Sequence, residues 1–188
     1  MIPRLARRVD AVITVSHYEK AQIAQHLRIG PEKIHVTHLA AGRSFRILQP
    51  SERTDTWHRL LPEHGITRPF VLAVGFEPRK NIDGVIRAYQ LLAKHVRERF
   101  DLVIVCAHAR ARDLLCDRIA VEEAGSSMRV LGSLAPDLMR LLYGTATVFV
   151  FPSLRESFGL PPLEAMACGT PVIGSATSSL PEVLGDAA

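Results

Sequence analysis

A chain of 188 residues with 47% hydrophobic and 22% charged residues has the composition of a globular protein of one domain, or of one domain and part of another. No apolar run approaches the ~20 residues of a membrane-spanning helix, and the first eight residues lack the apolar centre of a secretory signal, so we expect a cytoplasmic protein. The formal charge of +4 favours anionic partners. No nucleic-acid-binding motif accompanies the arginines, so we expect no nucleic-acid partner, while peripheral contact with the anionic inner face of a membrane stays open.

Seven short apolar segments are predicted to be β-strands. Most are continuously apolar rather than alternating, which is typical of strands covered on both faces of a sheet. They are residues 11–15, 34–38, 70–75, 101–106, 128–131, 148–151 and 170–174.

Helical patterns separate these strands. Ser16 and Glu19 form a capping-box pattern that opens a helix to about Leu27. Apolar residues between 82 and 96 follow helical spacing, with Asn81 as the N-cap. Further helices are predicted at 114–123, 135–143 and 162–167, and another begins at Leu180. The alternation predicts the α/β class: an open, doubly wound parallel sheet with right-handed crossovers.

Residues 40–69 interrupt this alternation. The segment is rich in glycine, proline and polar residues, and we interpret it as a linker with a short helix near residues 55–61. One βαβ unit precedes it and five strands follow. Because so small an N-terminal unit is not a domain, and because the sequence stops soon after a helix begins, we expect a piece of a longer protein.

Two cations follow the third predicted strand. In a doubly wound sheet, ligands bind beyond the carboxyl ends of the strands. Arg79 and Lys80 stand there beside a helix start, where they could bind a phosphate or diphosphate. On this segment alone, a surface turn whose cations face water is an equal alternative.

Two glutamates with seven residues between them follow the sixth strand. Pro161 and Pro162 fit the first turn of a helix, so the amides just before it would point at an anion. Glu164, placed in that first turn and taken by itself, has an alternative explanation, because the helix dipole favours a carboxylate there even without a function. Glu156 would repel a phosphate, but it would suit a sugar because a carboxylate accepts hydrogen bonds from hydroxyls. The pair therefore predicts a ligand that carries both phosphates and hydroxyls.

Other loops say less. The turn from Leu131 to Ser133 could expose backbone groups to a heterocycle or could be a plain tight turn, and His108 is read as a capping or packing residue. The three cysteines show no close pairing, which argues against a disulfide framework and a zinc site. There is no Asp-x-Asp pair, Walker loop, Gly-x-Gly-x-x-Gly turn or serine nucleophile elbow.

Five segments together carry a family resemblance. They are E-S-F-G-L-P-P-L-E-A-M-A-C-G-T-P-V, S-S-L-P-E-V, V-G-F-E-P-R-K-N, V-L-G-S-L and V-S-H-Y-E-K. From about Asp10 onward the chain resembles the retaining, nucleotide-sugar-dependent glycosyltransferases of the GT-B fold, family 4 (group 1). The resemblance implies two facing Rossmann-like domains. Residues 1–42 would end the N-terminal acceptor domain, 43–69 would be the interdomain linker, and 70–188 would be a C-terminal nucleotide-sugar-binding domain that is incomplete at its C-terminus.

The resemblance also implies roles for individual residues. Glu156 would contact the hydroxyls of the donor sugar, Glu164 would hold the ribose, and Lys80 with Arg79 would neutralise the diphosphate leaving group. Phe76 departs from the family, since an Arg is common at that position. Further donor contacts are expected from Gly75, Leu131, Gly132, Ser157, Phe158, Gly159 and Leu160.

The expected function is transfer of a hexose, with mannose as one candidate, from a GDP- or UDP-linked sugar to a glycan or lipid acceptor. Transfer would retain the anomeric configuration and need no metal or other cofactor. The chain would be the donor-binding half. The alternatives are a non-catalytic nucleotide-sugar-binding subunit of a two-chain transferase, an inactive gene fragment, and an epimerase or phosphorylase. No segment resembles the pyridoxal lysine site that a phosphorylase needs.

Overall fold

A computed structural model describes residues 5, 6, 8–121 and 125–188 of the chain. Its strands are β1 (Val12–Thr14), β2 (Ile34–Val36), β3 (Phe70–Val74), β4 (Asp101–Val105), β5 (Met128–Leu131), β6 (Val148–Phe151) and β7 (Val172–Gly174). Its α-helices are α1 (His17–Leu27), α2 (Pro50–Asp55), α3 (Leu61–Glu63), α4 (Ile82–Gln90), α5 (Lys94–Arg97), α6 (Ala109–Ala120), α7 (Pro136–Thr145), α8 (Leu160–Ala167) and α9 (Leu180–Leu184).

All seven predicted strands are confirmed, some of them a residue or two shorter at an end. β1 and β2 pair in parallel around α1 and form the predicted βαβ unit. The other five form one parallel sheet in the order β5-β4-β3-β6-β7. The chain adds strands on one side of β3 and then returns to its other side, so a crevice opens between the carboxyl ends of β3 and β6.

The sheet is covered on both faces, which explains its continuously apolar strands. Successive side chains of a strand point to opposite faces. In β4, Leu102 and Ile104 join the core formed with α4 and α6, while Val103 and Val105 join the core formed with α3, α7, α8 and α9. The predicted doubly wound α/β fold is confirmed.

Three helix predictions need correction. The helix predicted over 82–96 ends at Gln90, and Leu91 is 87% exposed before the separate α5 begins. α6 begins five residues earlier than predicted, because the His108 side chain caps it by accepting a hydrogen bond from the Ala111 amide; the predicted end at 123 lies outside the described residues. Asn81 does occupy the N-cap position of α4, but its side-chain amide donates to the Pro152 carbonyl at 3.4 Å instead of capping the helix.

The segment before β3 packs against the sheet. Its predicted short helix is the middle of a longer helical stretch, from α2 through a π-helical turn (Thr56–Leu60) to α3. Gln49 and Glu52 form a capping box at its start. Leu61 is fully buried in the core, and the Trp57 ring lies edge-on to Phe70. The predicted domain boundaries at residues 42 and 69 stay a prediction.

In the described part of the chain, no helix combines the length and the hydrophobicity needed to cross a membrane.

Replacing Leu61 by alanine tests how firmly this segment belongs to the core. Because Leu61 is fully buried, we expect Leu61→Ala to lower the free energy of unfolding by about 2–5 kcal/mol. The control, Leu91→Ala, changes an exposed leucine and should stay within about 0.5 kcal/mol of the wild type. Urea denaturation followed by Trp57 fluorescence measures both. Equal, small effects in the two variants would show that the segment contributes little to the core.

Candidate functional site

The loops after β3 and β6 meet at the crevice of the sheet. The loop after β3 contains a 3₁₀ turn (Pro78–Lys80), and the loop after β6 contains Ser153 and Glu156. The carbonyl of Arg79 accepts hydrogen bonds from the Leu154 amide at 2.7 Å and from the Ser153 hydroxyl at 2.9 Å. These bonds fix the two loops to each other at the carboxyl end of the sheet.

The carboxylate of Glu156 lies at the centre of this junction. Its Oε1 accepts hydrogen bonds from Lys80 Nζ at 2.7 Å and from Ser153 Oγ at 2.6 Å. Its Oε2 accepts one from Arg79 Nη1 at 2.9 Å. Glu156 is buried, whereas Arg79 is half-exposed. The structure therefore brings Glu156, Lys80 and Arg79, which were singled out in the sequence, into one hydrogen-bonded cluster.

Electrostatics keep this cluster charged. Burial by itself raises the pKa of Glu156, but the hydrogen bonds from Lys80 and Ser153 and the nearby positive charges outweigh it, so the pKa lies below its ordinary value. Burial lowers the pKa of Arg79, but the carboxylates of Glu156 and Glu77 outweigh it and the pKa is raised. Glu156 is thus an ionised carboxylate that occupies both cations. An anion entering the crevice has to take over these cations.

Gly75 makes room for Lys80. It has a φ of 132°, a region that side chains disfavour. A Cβ at this position would lie 2.6 Å from Cγ of Lys80. Lys80 itself is largely buried, with Nζ 4.7 Å from the centre of the Phe151 ring. Gly75 therefore serves the cluster by letting the lysine cross the end of β3.

The N-terminus of α8 points free amides into the same region. Pro161 and Pro162 lie in the first turn of the helix, as predicted, and Gly159 is its N-cap with a φ of 117°. A Cβ on Gly159 would lie 2.7 Å from Leu180. Within the described residues, no hydrogen-bond acceptor is found for the amides of Ser157, Phe158, Gly159 and Leu160. Unpaired amides at a helix start form an anion-binding arrangement.

A serine-rich segment after β7 forms hydrogen bonds to the backbone of the loop between β6 and α8. The Ser179 hydroxyl lies 2.9 Å from the Glu156 carbonyl and 2.7 Å from the Phe158 carbonyl, and the Glu156 amide donates to Ser178 Oγ at 2.9 Å. Both serines belong to S-S-L-P-E-V, which in the sequence carries only a family match and predicts no role for them. The signal was present, because a run of hydroxyl residues follows a strand of the same sheet.

The cluster opens into a cleft of about 620 Å³ between the sheet and the βαβ unit. Val15, Glu19 and Leu39 line it from the βαβ unit, and the Ser16 hydroxyl crosses to the other side to donate to the Ser157 carbonyl at 2.7 Å. The sheet side is formed by Arg79, Arg155, Glu156, Ser157, Phe158, Gly159, Leu160 and Pro161. The cleft thus joins four of the expected donor contacts, Ser157, Phe158, Gly159 and Leu160, to the charged cluster.

Glu164 lies farther along α8. The helix begins at Leu160, so Glu164 is in its second turn and the prediction of the first turn is wrong. Because the dipole effect fades beyond the first turn, it explains this carboxylate less well than the sequence suggested. Burial raises the pKa of Glu164, and a hydrogen bond from the Tyr143 hydroxyl offsets this only in part. The predicted ribose contact of Glu164 stays a prediction.

Leu131 ends the edge strand β5 and Gly132 follows it. β4 and β3 separate this strand from β6. Leu131 and Gly132 do not line the 620 Å³ cleft. Arg112 lies beside Gly132, since a Cβ there would be 3.2 Å from Nη1. Their predicted donor contacts stay a prediction.

Phe76, at the position where the family often has Arg, stacks on His108 with ring centres 4.9 Å apart. It lines a second cavity of about 310 Å³ between the start of α4 and α6.

The fold places the chain in a class of proteins. The sheet carries its site between the carboxyl ends of β3 and β6, and this site faces the separate βαβ unit across a cleft. This is the architecture of the GT-B glycosyltransferases. A glycosyltransferase from Rickettsia africae superposes with a TM-score of 0.80 at 19% identity, covering 98% of this chain and 50% of that one. The Anabaena protein HepE, solved with UDP-glucose, gives 0.79 at 21% identity, covering 95% of this chain and 48% of that one. At these identities the likeness shows the fold.

Sequence comparison then gives the family. The model of the family described as Glycosyl transferases group 1 matches residues 61–188, and the chain belongs to this family. It is 35% identical to O-antigen chain mannosyltransferase B of Escherichia coli, over 94% of this chain and 46% of that protein. It is 30% identical to O-antigen chain mannosyltransferase RfbU of Salmonella typhimurium, over 95% of this chain and 45% of that protein. The chain therefore spans about half the length of these relatives, and the family resemblance seen in the sequence is confirmed.

The raised pKa of Glu164 makes a prediction about stability. A carboxyl whose pKa is higher in the folded than in the unfolded chain binds more protons when folded, so stability falls as pH rises from the ordinary value of 4.5 through the raised value. Glu164→Gln removes this loss. We expect the unfolding free energy of the variant, relative to wild type, to increase across that pH range and then level off. Urea denaturation from pH 4 to pH 8 measures it, with the exposed Glu98→Gln as control. If the difference in unfolding free energy between Glu164→Gln and wild type does not change with pH, the raised pKa of Glu164 is contradicted.

Proposed function

We propose that this chain is the donor-binding half of a retaining glycosyltransferase that transfers a hexose from a nucleotide-diphosphate sugar to a glycan or lipid acceptor. The observation that carries the proposal is the cluster of Glu156, Lys80 and Arg79 where the loops after β3 and β6 meet. It lies beside the amides at the start of α8, for which no acceptor is found in the described part of the chain. It offers two cations and several amides to a diphosphate, and one carboxylate to sugar hydroxyls.

Binding exchanges partners within the cluster. The diphosphate takes over Lys80 and Arg79, together with the amides of residues 157–160. Glu156 is then released from its ion pairs and accepts hydrogen bonds from the sugar, while Ser153 continues to hold its Oε1. Because a buried carboxylate is costly without partners, only a ligand that supplies both phosphate and hydroxyl groups satisfies all the members at once.

The same two cations support the chemistry. Negative charge develops on the diphosphate as the glycosidic bond breaks, and Lys80 and Arg79 are already placed to stabilise it. Transfer in this arrangement needs no metal ion, since fixed side-chain charges neutralise the leaving group. Glu164 would hold the ribose, whose hydroxyls would favour its ionised form.

The donor sugar is proposed to be mannose, because relatives of 30–35% identity are named O-antigen chain mannosyltransferases. The proposal includes both GDP and UDP as the nucleotide that carries the donor sugar. The acceptor would be bound by a region that corresponds to the part of the longer relatives that this chain does not span. Donor binding, unlike turnover, is testable on this chain, and it is equally expected if the chain is one subunit of a two-chain transferase.

The first test replaces Lys80. We expect GDP-mannose or a UDP-sugar to bind the wild type in isothermal titration. Lys80→Ala should weaken binding of the sugar nucleotide and of the free nucleoside diphosphate by about 10–100-fold, because a charge-assisted hydrogen bond to phosphate is lost. Lys94→Ala, at an exposed lysine, is the matched control. No binding by folded wild type, or equal binding by both variants, would refute the proposal.

The second test separates sugar from phosphate recognition. In Glu156→Gln the cations lose their internal partner, so GDP or UDP should bind at least as tightly as to wild type. The additional affinity that the sugar provides should fall by about tenfold, because Gln cannot accept charge-assisted bonds from hydroxyls. Titration of each nucleotide with and without its sugar gives this ratio. Equal weakening for both ligands would show that Glu156 does not recognise the sugar.

A further inference from the structure

A second group of potential ligand atoms lies where the βαβ unit meets α9. Within the described residues, His17, His38 and Glu182 bring one ring nitrogen each from the histidines and one carboxylate oxygen to within 4.8 Å of one another. The three residues come from the start of α1, from the segment after β2 and from α9. Because the three residues are far apart in the sequence, no local pattern indicates this group.

The backbone holds the carboxylate of the group in place. Both oxygens of Glu182 accept hydrogen bonds from the His17 amide, at 2.9 and 3.0 Å, and Oε2 also accepts one from the Tyr18 amide at 3.4 Å. Bonds of this kind orient the carboxylate of a metal site. Nε2 of His38 lies 2.6 Å from Oε1 of Glu182.

A hydrogen-bonded ion pair accounts for His38 and Glu182, whereas the His17 ring interacts with the Glu182 carboxylate electrostatically. The His17 ring lies edge-on to the His38 ring, with centres 5.7 Å apart. Among the described residues, no hydrogen-bond partner is found for its ring nitrogens. A cation shared by the three side chains would give that ring a function.

The chemistry of the group suits a transition metal. Two imidazoles and a carboxylate are a ligand set of zinc, in which metal–ligand distances of about 2.0–2.2 Å place neighbouring ligand atoms roughly 3.3 Å apart. The three ligand atoms lie within 4.8 Å of one another, and His38 Nε2 and Glu182 Oε1, 2.6 Å apart, would separate to that spacing when a metal binds. Both histidines are exposed, which leaves room for a water as fourth ligand.

We propose that His17, His38 and Glu182 form a divalent transition-metal site, with Zn²⁺ as the preferred ion. The metal would join the βαβ unit to α9. Because the His38 ring also lies 6.1 Å from that of Phe158, the site would brace the loop that lines the cleft. This site is separate from the proposed donor chemistry and does not depend on it.

The test uses tag-free, chelator-treated full chain. Isothermal titration with Zn²⁺ should show one site, and Co²⁺ should give the visible absorption of a low-symmetry nitrogen and oxygen site. His17→Gln and His38→Gln should each weaken binding by more than about tenfold, as even changes outside the ligand shell cost 10–100-fold. His35→Gln, at an exposed histidine of β2, is the matched control and should bind as wild type does.

A second measurement controls for loss of binding through misfolding, and a cysteine variant controls for metal binding by the exposed thiol of Cys116. Zn²⁺ should raise the thermal midpoint of wild type and of His35→Gln but not of the two ligand variants, whose metal-free midpoints report their folding. Absence of Zn²⁺ and Co²⁺ binding by wild type, binding unchanged in folded His17→Gln and His38→Gln, or binding lost in Cys116→Ser would each overturn the proposal.

Discussion

The charge of Glu156 is the constraint on which the functional half of this structure depends. A carboxylate buried at the end of a parallel sheet is unfavourable unless cations and donors surround it. Lys80, Arg79 and Ser153 supply these partners at 2.6–2.9 Å. The loops after β3 and β6 must therefore approach each other closely, and the strand order that places β3 beside β6 makes this approach available.

Much of the surrounding sequence serves to keep that arrangement in place. Gly75 leaves space for Lys80, and Gly159 allows the turn into α8 next to Leu180. Ser178 accepts a hydrogen bond from the Glu156 amide, and Ser179 donates to the carbonyls of Glu156 and Phe158. Among the described residues, the amides of residues 157–160 have no acceptor. A site that is internally neutralised in this way is stable without ligand, and it offers its charges only to a ligand that can replace every partner.

The βαβ unit forms the other wall of the cleft, and hydrogen bonds tie it to the sheet at two places. Ser16 both caps α1 and donates to the Ser157 carbonyl, so the start of α1 is fixed to the cleft loop. Glu182 accepts from the amides of the same helix start. The anionic side chain is placed where the positive end of the helix dipole favours it. These hydrogen bonds fix the N-terminus of α1 to the opposite wall of the cleft.

The sequence by itself determined the class of fold, since continuously apolar strands alternating with helical patterns allow few other solutions, and it singled out Glu156, Lys80 and Arg79 by residue type and position. It did not determine that these three charges pair with one another, that Glu164 lies in the second turn of α8, or that Leu61 and Trp57 pack against the sheet. Local patterns record which residues are apolar, charged or able to cap a helix. They do not record which residues distant in sequence come together, as Ser179 and Glu156 do, or His17, His38 and Glu182. That is decided by strand order and packing, because only the assembled sheet brings the loops at its carboxyl edge within hydrogen-bond distance.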